Sequence, residues 1–448
     1  LVQAGVDVFR LNASHGTVEE RAGRVRLVRE ISAQEKKYVG ILLDLQGPKI
    51  RLGTFEGGGC ELRAGEPFTI TTEEVTGNCQ IASTGYAEFA RDVKPGDRVL
   101  LNDGAVELRV VKTTPTAAMC AILTGGFVGD RKGINLPGVA VSTPALTKKD
   151  KIDLRAGLEA GVDMVALSFV RRRDDLLRLR HYLEEHDCDA PIIAKIEKPE
   201  AWERLSEILA ECDGVMVARG DLGVEMALEK VPFIQKAIIE RARERGRFVI
   251  TATQMLESMI DNAVPTRAEV SDVANAIYDG TDAVMLSAET SVGRYPVEAV
   301  RMMARVAVEA EASSRWAQGF DLTPGASVKQ SEIIADAAYR AARMLDARCI
   351  VVFTKTGASA RLVARNRPPI PIVAFTGSQE VACRLQAIYG VRALVAPDAS
   401  STDEMLALMD RCLLESGWVE AGQAVVFVAG QPIGIPGTTN MMRLQVIR

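Results

Sequence analysis

The sequence predicts an α/β protein: a (β/α)8 TIM barrel whose first strand is missing from this chain, an inserted β-barrel-like lid domain, and a C-terminal open α/β sheet domain. Three observations carry that expectation. Short apolar runs alternate with helix-compatible stretches, the helical period vanishes between Asp44 and Ala145, and a second βα series begins after a Gly/Pro/Ser-containing stretch at Gly319 to Ser327.

The barrel runs are Val6 to Asn12, Val39 to Asp44, Val162 to Ser168, Pro191 to Glu197, Gly214 to Arg219, Phe248 to Thr253 and Asp282 to Ser287. Continuous apolarity is what strands buried on both faces require. These are seven strands where closure needs eight, and the chain opens in what reads as a helix tail, Leu1-Val-Gln-Ala-Gly5, so the first strand is expected upstream. The intervening segment carries turn signals at Lys94-Pro-Gly-Asp97, Asn102-Asp-Gly104 and Asn135-Leu-Pro-Gly138, which mark a β-rich insertion at the catalytic end of the barrel. The last domain has runs at Ile350 to Phe353, Ile372 to Phe375, Ala393 to Ala396, Val425 to Val428 and Met442 to Ile447. The expected division is barrel at 1–48 and 145–314, lid at 49–144, linker at 315–328, and regulatory α/β domain at 329–448.

Composition narrows the function classes. The 448 residues are 47% hydrophobic and 25% charged with a net charge of −5, so no overall positive field draws nucleic acid or an acidic membrane. No apolar run is long enough to span a bilayer and the start lacks signal-peptide character, which predicts a cytoplasmic protein. Three histidines are too few for a His-rich metal site. Eight cysteines without a CxxC pair read as buried thiols in a reducing compartment.

Chemistry therefore falls to Lys, Arg, Asp, Glu and Thr at the C-terminal ends of the barrel strands. Alternation aims Lys195 and Glu197 into the barrel mouth while Ile196 faces the helices. Read alone, that pair is also compatible with a structural salt bridge. Asp221, ending the next strand, adds a second carboxylate, and two carboxylates with open water positions suit Mg²⁺. Gly220 permits close backbone approach, so its amide and that of Asp221 can hold a substrate carboxylate. Thr253 places a hydroxyl in the same mouth, or is simply a strand residue. Arg10, Asn12 and Ser14 alternate toward one locus, with Arg10 suited to bidentate phosphate binding and Asp44 nearby; a capping Ser14 beside a surface Arg explains them equally. Lys49 and Arg51 follow in a turn. Gly129-Asp-Arg-Lys132-Gly is a basic loop able to reach a phosphate, or a solvated turn. In the last domain Thr354, Thr356 and Ser359 surround a small-residue turn that can bind phosphate, although capping accounts for Ser359 as well.

Together these stretches closely resemble pyruvate kinases. The resemblance rests on Arg10-Leu-Asn-Ala-Ser-His-Gly16, Asp44-Leu-Gln-Gly-Pro-Lys-Ile-Arg51, Lys132-Gly-Ile-Asn-Leu-Pro-Gly138, Lys195-Ile-Glu197, Met216-Val-Ala-Arg-Gly-Asp-Leu-Gly223, Thr251-Ala-Thr-Gln-Met-Leu-Glu-Ser258 and Met285-Leu-Ser-Ala-Glu-Thr290. It implies phosphoryl transfer from phosphoenolpyruvate to ADP, giving pyruvate and ATP, the last step of glycolysis. Under it Lys195 neutralises the moving phosphoryl group and the enolate, Glu197 and Asp221 hold Mg²⁺ or Mn²⁺, and Arg10 grips the phosphoryl group. Gly220, Asp221 and Thr253 take the substrate carboxylate, with Arg51, Lys132, Asn12 and His15 at the nucleotide. Water near Thr253 and Ser287 protonates the enolate. Asn12, Ser14 and Asp44 form a monovalent-cation site that Lys49 is expected to fill, so K⁺ is not required. Thr354, Thr356 and Ser359 imply a phosphorylated small-molecule effector, with Ala358 where regulated relatives often carry Arg or Lys. A homotetramer is implied as well. Two other readings stay open: a metal-dependent lyase or aldolase acting through a pyruvate enolate, and a catalytically idle regulatory protein on the same fold.

Overall fold

The computed structural model describes residues 1–317, 320 and 329–447, so most of the linker expected at 315–328 lies outside the described residues. Seven parallel strands form one sheet in the order Val8–Asn12, Gly40–Asp44, Met164–Leu167, Ile192–Ile196, Gly214–Ala218, Phe248–Ala252 and Ala283–Val284. All seven predicted runs contribute. The last is shorter than expected: only Ala283 and Val284 pair in register with the preceding strand, while the Asp282 amide donates to Val249 O at 2.9 Å and its carboxylate accepts the Val249 amide at 2.9 Å. Helices between the strands start where the sequence supplies caps: Thr17, Thr147 and Thr266 each close a capping box on an acidic residue at the third helical position.

Strand parity decides the rest of this unit. Ile41, Leu43, Val165, Leu167, Ile192, Ala194, Ile196, Val215 and Val217 point outward into a core shared with Leu205, Ile208 and Ile238 of the helices. Leu42, Met164, Ala166, Ile193, Met216 and Ile250 point inward. The inward positions toward the C-terminal ends are polar: Arg10, Asn12, Asp44, Ser168 and Lys195.

Between Asp44 and the helix Lys148–Ala160 the chain forms a six-stranded sheet and a separate two-stranded ladder, Gly59–Leu62 with Gly126–Gly129, around one apolar core. Cys60 and Cys79 are joined by a disulfide here, which corrects the reading of all eight cysteines as free thiols. The remaining six are free. The last unit is a five-stranded sheet, parallel except for the antiparallel final strand Thr439–Val446. It docks on the barrel face opposite the polar strand ends, where Arg367 pairs with Asp282 at 2.8 Å and Tyr389 donates its amide to the same carboxylate. Among the described residues no helix is long and apolar enough to cross a membrane.

Candidate active site

The Ile192–Ile196 strand delivers Lys195 inward. Its Nζ lies 2.7 Å from Glu197 Oε1 and 3.3 Å from Asp44 Oδ1, and donates to Ser168 Oγ at 2.8 Å. The side chain is only 9% exposed. Burial alone would pull the ammonium down, but Asp44 and Glu197, with Asp221 beyond them, outweigh it and hold Lys195 above the ordinary lysine range.

Asp44 serves two cations. Its Oδ2 accepts from Arg10 Nε at 2.7 Å, and burial, which would raise its pKa, is overcome by Lys195 and Arg10, so the carboxyl is held below its usual value. Glu197 accepts the Phe169 amide at 2.8 Å through Oε2, leaving Oε1 to Lys195. Asp221 has no such cation against it. Burial and the Glu197 charge push it up to about 6 despite Lys195 and Lys49. Two carboxylates repelling each other at a half-open position are an arrangement that a divalent cation relieves. No group of three or more His, Cys, Asp and Glu is placed to hold a metal among the described residues.

Thr253 departs from simple alternation. By parity it follows the inward Ala252 and should face outward, yet its φ of +68° turns it back into the mouth. A β-branched residue in the left-handed region is strained, and such strain concentrates at functional sites. The hydroxyl accepts the Gly220 amide at 2.8 Å, so Gly220 and Thr253 form one unit where the sequence suggested separate contacts. Arg219 holds the other side by donating to Thr253 O at 2.7 Å and pairing with Asp272 at 2.7 Å.

The remaining expected residues divide into groups. Asn12 turns its Oδ1 back to accept the Ser14 amide at 3.0 Å, and His15 is exposed beside it. Lys49 is exposed across the cleft, where its charge acts on Asp221; the cations paired with Asp44 are Arg10 and Lys195. Arg51 donates to Arg131 O at 3.1 Å, which pins it to the loop carrying the exposed Lys132. Ser287 Oγ is buried with no partner. Pro48, Lys49, Phe169, Lys198 and Asp221 line a narrow cleft of about 40 Å³ between the inserted unit and the barrel. Ser168 was missed by the sequence reading, although its inward parity at the end of the Val162 to Ser168 run was a usable signal. Far from this mouth, Thr354, Thr356 and Ser359 line a cavity of about 290 Å³ in the last unit. Thr354 there accepts the Gly357 amide at 3.0 Å, and Ser359 meets Thr439 at 2.5 Å.

Comparison with known proteins agrees with this architecture. Residues 1–300 match the pyruvate kinase barrel domain family and residues 332–445 the pyruvate kinase alpha/beta domain family. The chain is 45% identical to the pyruvate kinase of Mycobacterium tuberculosis strain H37Rv, with all of the chain and 94% of that protein covered. It is 42% identical to the pyruvate kinase of Clostridium acetobutylicum, covering 95% of it. A crystal structure of a pyruvate kinase from Cryptosporidium parvum superposes with a TM-score of 0.92 at 35% identity, covering the whole chain and 92% of the other. With barrel and C-terminal units both matched and relatives aligned end to end, the chain belongs to the pyruvate kinase family and is a phosphotransferase.

Proposed function

We propose that the enzyme moves the phosphoryl group of phosphoenolpyruvate to ADP, yielding pyruvate and ATP, with Lys195 as the central cation. The observation that carries this reading is the Lys195 ammonium, fixed by Asp44, Ser168 and Glu197 at the mouth of the barrel. Charge accumulating on a transferring phosphoryl group and on an enolate is stabilised by a cation already held in place. Arg10, with Asp44 aligning its guanidinium, faces the same locus and grips the phosphoryl oxygens. Thr253 and the backbone of Gly220 and Asp221 receive the substrate carboxylate. Arg51 and Lys132 meet the nucleotide phosphates, with Asn12 and His15 at the rim.

Glu197 and Asp221 would hold Mg²⁺ or Mn²⁺, and their hard oxygen donors and mutual repulsion fit that role. When bound, the ion supplies positive charge to the oxygens of enolate and phosphate. Ser287, whose buried hydroxyl has no partner, together with Thr253 holds the water that delivers the final proton. Asn12, Ser14 and Asp44 work without K⁺, with Arg10 and Lys195 in the place expected for Lys49. Support comes from Asp44, whose carboxylate already faces two cations, so K⁺ would be a third positive charge in one pocket.

Residues 49–144 act as a lid, and the cavity at Thr354, Thr356 and Ser359 takes a phosphorylated effector. The chain assembles as a homotetramer in the cytoplasm; exposed Leu228 and Phe233 are suited to a subunit contact. A coupled assay tests the reaction: phosphoenolpyruvate-dependent ATP formation from ADP and Mg²⁺, abolished in Lys195→Met, is the expected result. Lys195→Met turning over like wild type would overturn the assignment of Lys195.

A further inference from the structure

Beside the metal-facing carboxylates lies a second buried charge pair that the reaction scheme above does not use. Lys198 Nζ sits 2.5 Å from Glu225 Oε1, and the two residues are 8% and 5% exposed. The same Oε1 accepts Asn135 Nδ2 at 3.0 Å, while Glu225 Oε2 is buried with no partner. Asn135 belongs to the inserted unit, on the short strand Ile134–Asn135 that pairs with Arg98–Leu101. Glu225 and Lys198 belong to the barrel. One side chain of the lid therefore reaches a buried ion pair on the body of the enzyme.

The chain positions of that pair matter. Lys198 directly follows Glu197, and its ammonium lies over the Phe169 ring, whose own backbone amide donates to Glu197. Glu225 ends the helix Arg219–Glu225 and stands four residues after Asp221, on the same helical face. Each of the two carboxylates that face the metal position is thus one short step of backbone from the pair, and Asn135, Lys198 and Asp221 all line the same cleft. A buried ion pair is expensive to desolvate, more so with one carboxylate oxygen unsatisfied, so it adds little to stability by itself. It gains from the Asn135 donor only while the lid is seated.

We infer that Asn135, Glu225 and Lys198 form a latch: positioning residues that hold the inserted unit, with Arg51 and Lys132, seated over the nucleotide side of the cleft. The inference rests on the proposed phosphoryl transfer. With the latch made, the loop carrying Lys132 and the turn carrying Arg51 stand over the cleft, and the helix bearing Asp221 is held at its far end. With the lid swung away, Asn135 is withdrawn and water reaches the pair. Loss of the latch therefore falls on the nucleotide half of the site more than on the phosphoenolpyruvate half.

The test is a double-mutant cycle on the full chain with Asn135→Ala, Glu225→Gln and Glu225→Ala, reading kcat and the KM values for ADP and phosphoenolpyruvate separately. Asn135→Ala removes one part-buried donor and is expected to lower kcat/KM for ADP about tenfold, the scale of one hydrogen bond to a charged group. The KM for phosphoenolpyruvate is expected to stay within about twofold, a merely structural defect having no reason to select one substrate. Glu225→Gln retains an acceptor and restores part of what Glu225→Ala loses. Asn135→Ala is expected to cost nothing further in the Glu225→Ala background. Multiplying effects in the double variant, or an unchanged kcat/KM for ADP in Asn135→Ala, would overturn the latch. Wild type that makes no ATP from phosphoenolpyruvate and ADP would overturn the underlying reaction instead, so the two failures are distinguishable.

Discussion

The Thr253 hydroxyl accepts the Gly220 amide at 2.8 Å and donates to Ala252 O at 2.7 Å. Two neighbouring strand ends are thereby joined at the position where the substrate carboxylate is proposed to bind. Thr253→Val removes both bonds and leaves the Gly220 amide without its partner, costing about 1 to 3 kcal/mol of stability. Steady-state kinetics should show kcat lowered by about tenfold or more, with Thr253→Ser keeping most of the activity. Equal activity in the Val and Ser variants would remove the hydroxyl from the account.

Gly220 offers a complementary test. A Cβ built there would sit 3.5 Å from Thr253 Oγ1, an ordinary contact, so the protein itself has room for alanine. Gly220→Ala is therefore expected to melt no lower than wild type, helix propensity favouring alanine over glycine. Its KM for phosphoenolpyruvate should rise, because the methyl group occupies the approach to the backbone. A melting temperature lowered with KM unchanged would mean that the glycine serves packing alone.

Lys195→Met leaves Asp44 and Glu197 facing a hydrophobic side chain in a buried site. Breaking a buried pair on one side costs about 3 to 5 kcal/mol, which urea unfolding will read. The rate should fall by at least about 10²-fold, on the scale of losing one preorganised charge contact. Asp44→Asn added to Lys195→Met should recover stability without recovering rate.

The pH dependence of stability follows from Asp44. Its folded-state pKa is held below the ordinary 3.8 by Lys195 and Arg10 against the opposing effect of burial. A depressed carboxylate stabilises the fold fully above its unfolded pKa and loses that contribution as pH falls through the folded value. Wild type should therefore exceed Asp44→Asn in unfolding free energy at neutral pH, with the gap closing below about pH 4. A gap that persists unchanged at acid pH would contradict the charge pairing.

The monovalent cation makes a separate prediction. In an assay free of K⁺ but containing Mg²⁺, adding KCl should change kcat by less than about twofold, because Asp44 is already neutralised by two side chains. Inactivity restored by KCl would refute it.

Strand parity made much of this site legible in the sequence. Once the run ending at Glu197 is read as a strand buried on both faces, Lys195 must point inward and Ile196 outward, and they do. Arg10 and Asp44 follow by the same rule. What parity cannot reveal is where it breaks. Thr253 reaches the mouth only through a left-handed backbone, a conformation its residue type disfavours, and only its motif gave it away. Contacts between the inserted unit and the barrel were equally hidden: Asn135 and Glu225 are ninety positions apart and carry no periodic signal. The Cys60–Cys79 bridge, with a separation of 19 residues and no CxxC spacing, was read as two free thiols for the same reason.

Crystals soaked with Mg²⁺ and oxalate, a planar mimic of the enolate, give the most direct measurement of the central claim. The account predicts one Mg²⁺ at about 2.1 Å from an oxygen of Glu197 and an oxygen of Asp221, with Lys195 Nζ in hydrogen-bond contact with the bound oxalate. A metal bound elsewhere, or an oxalate that leaves Lys195 paired only to Asp44 and Glu197, would contradict it.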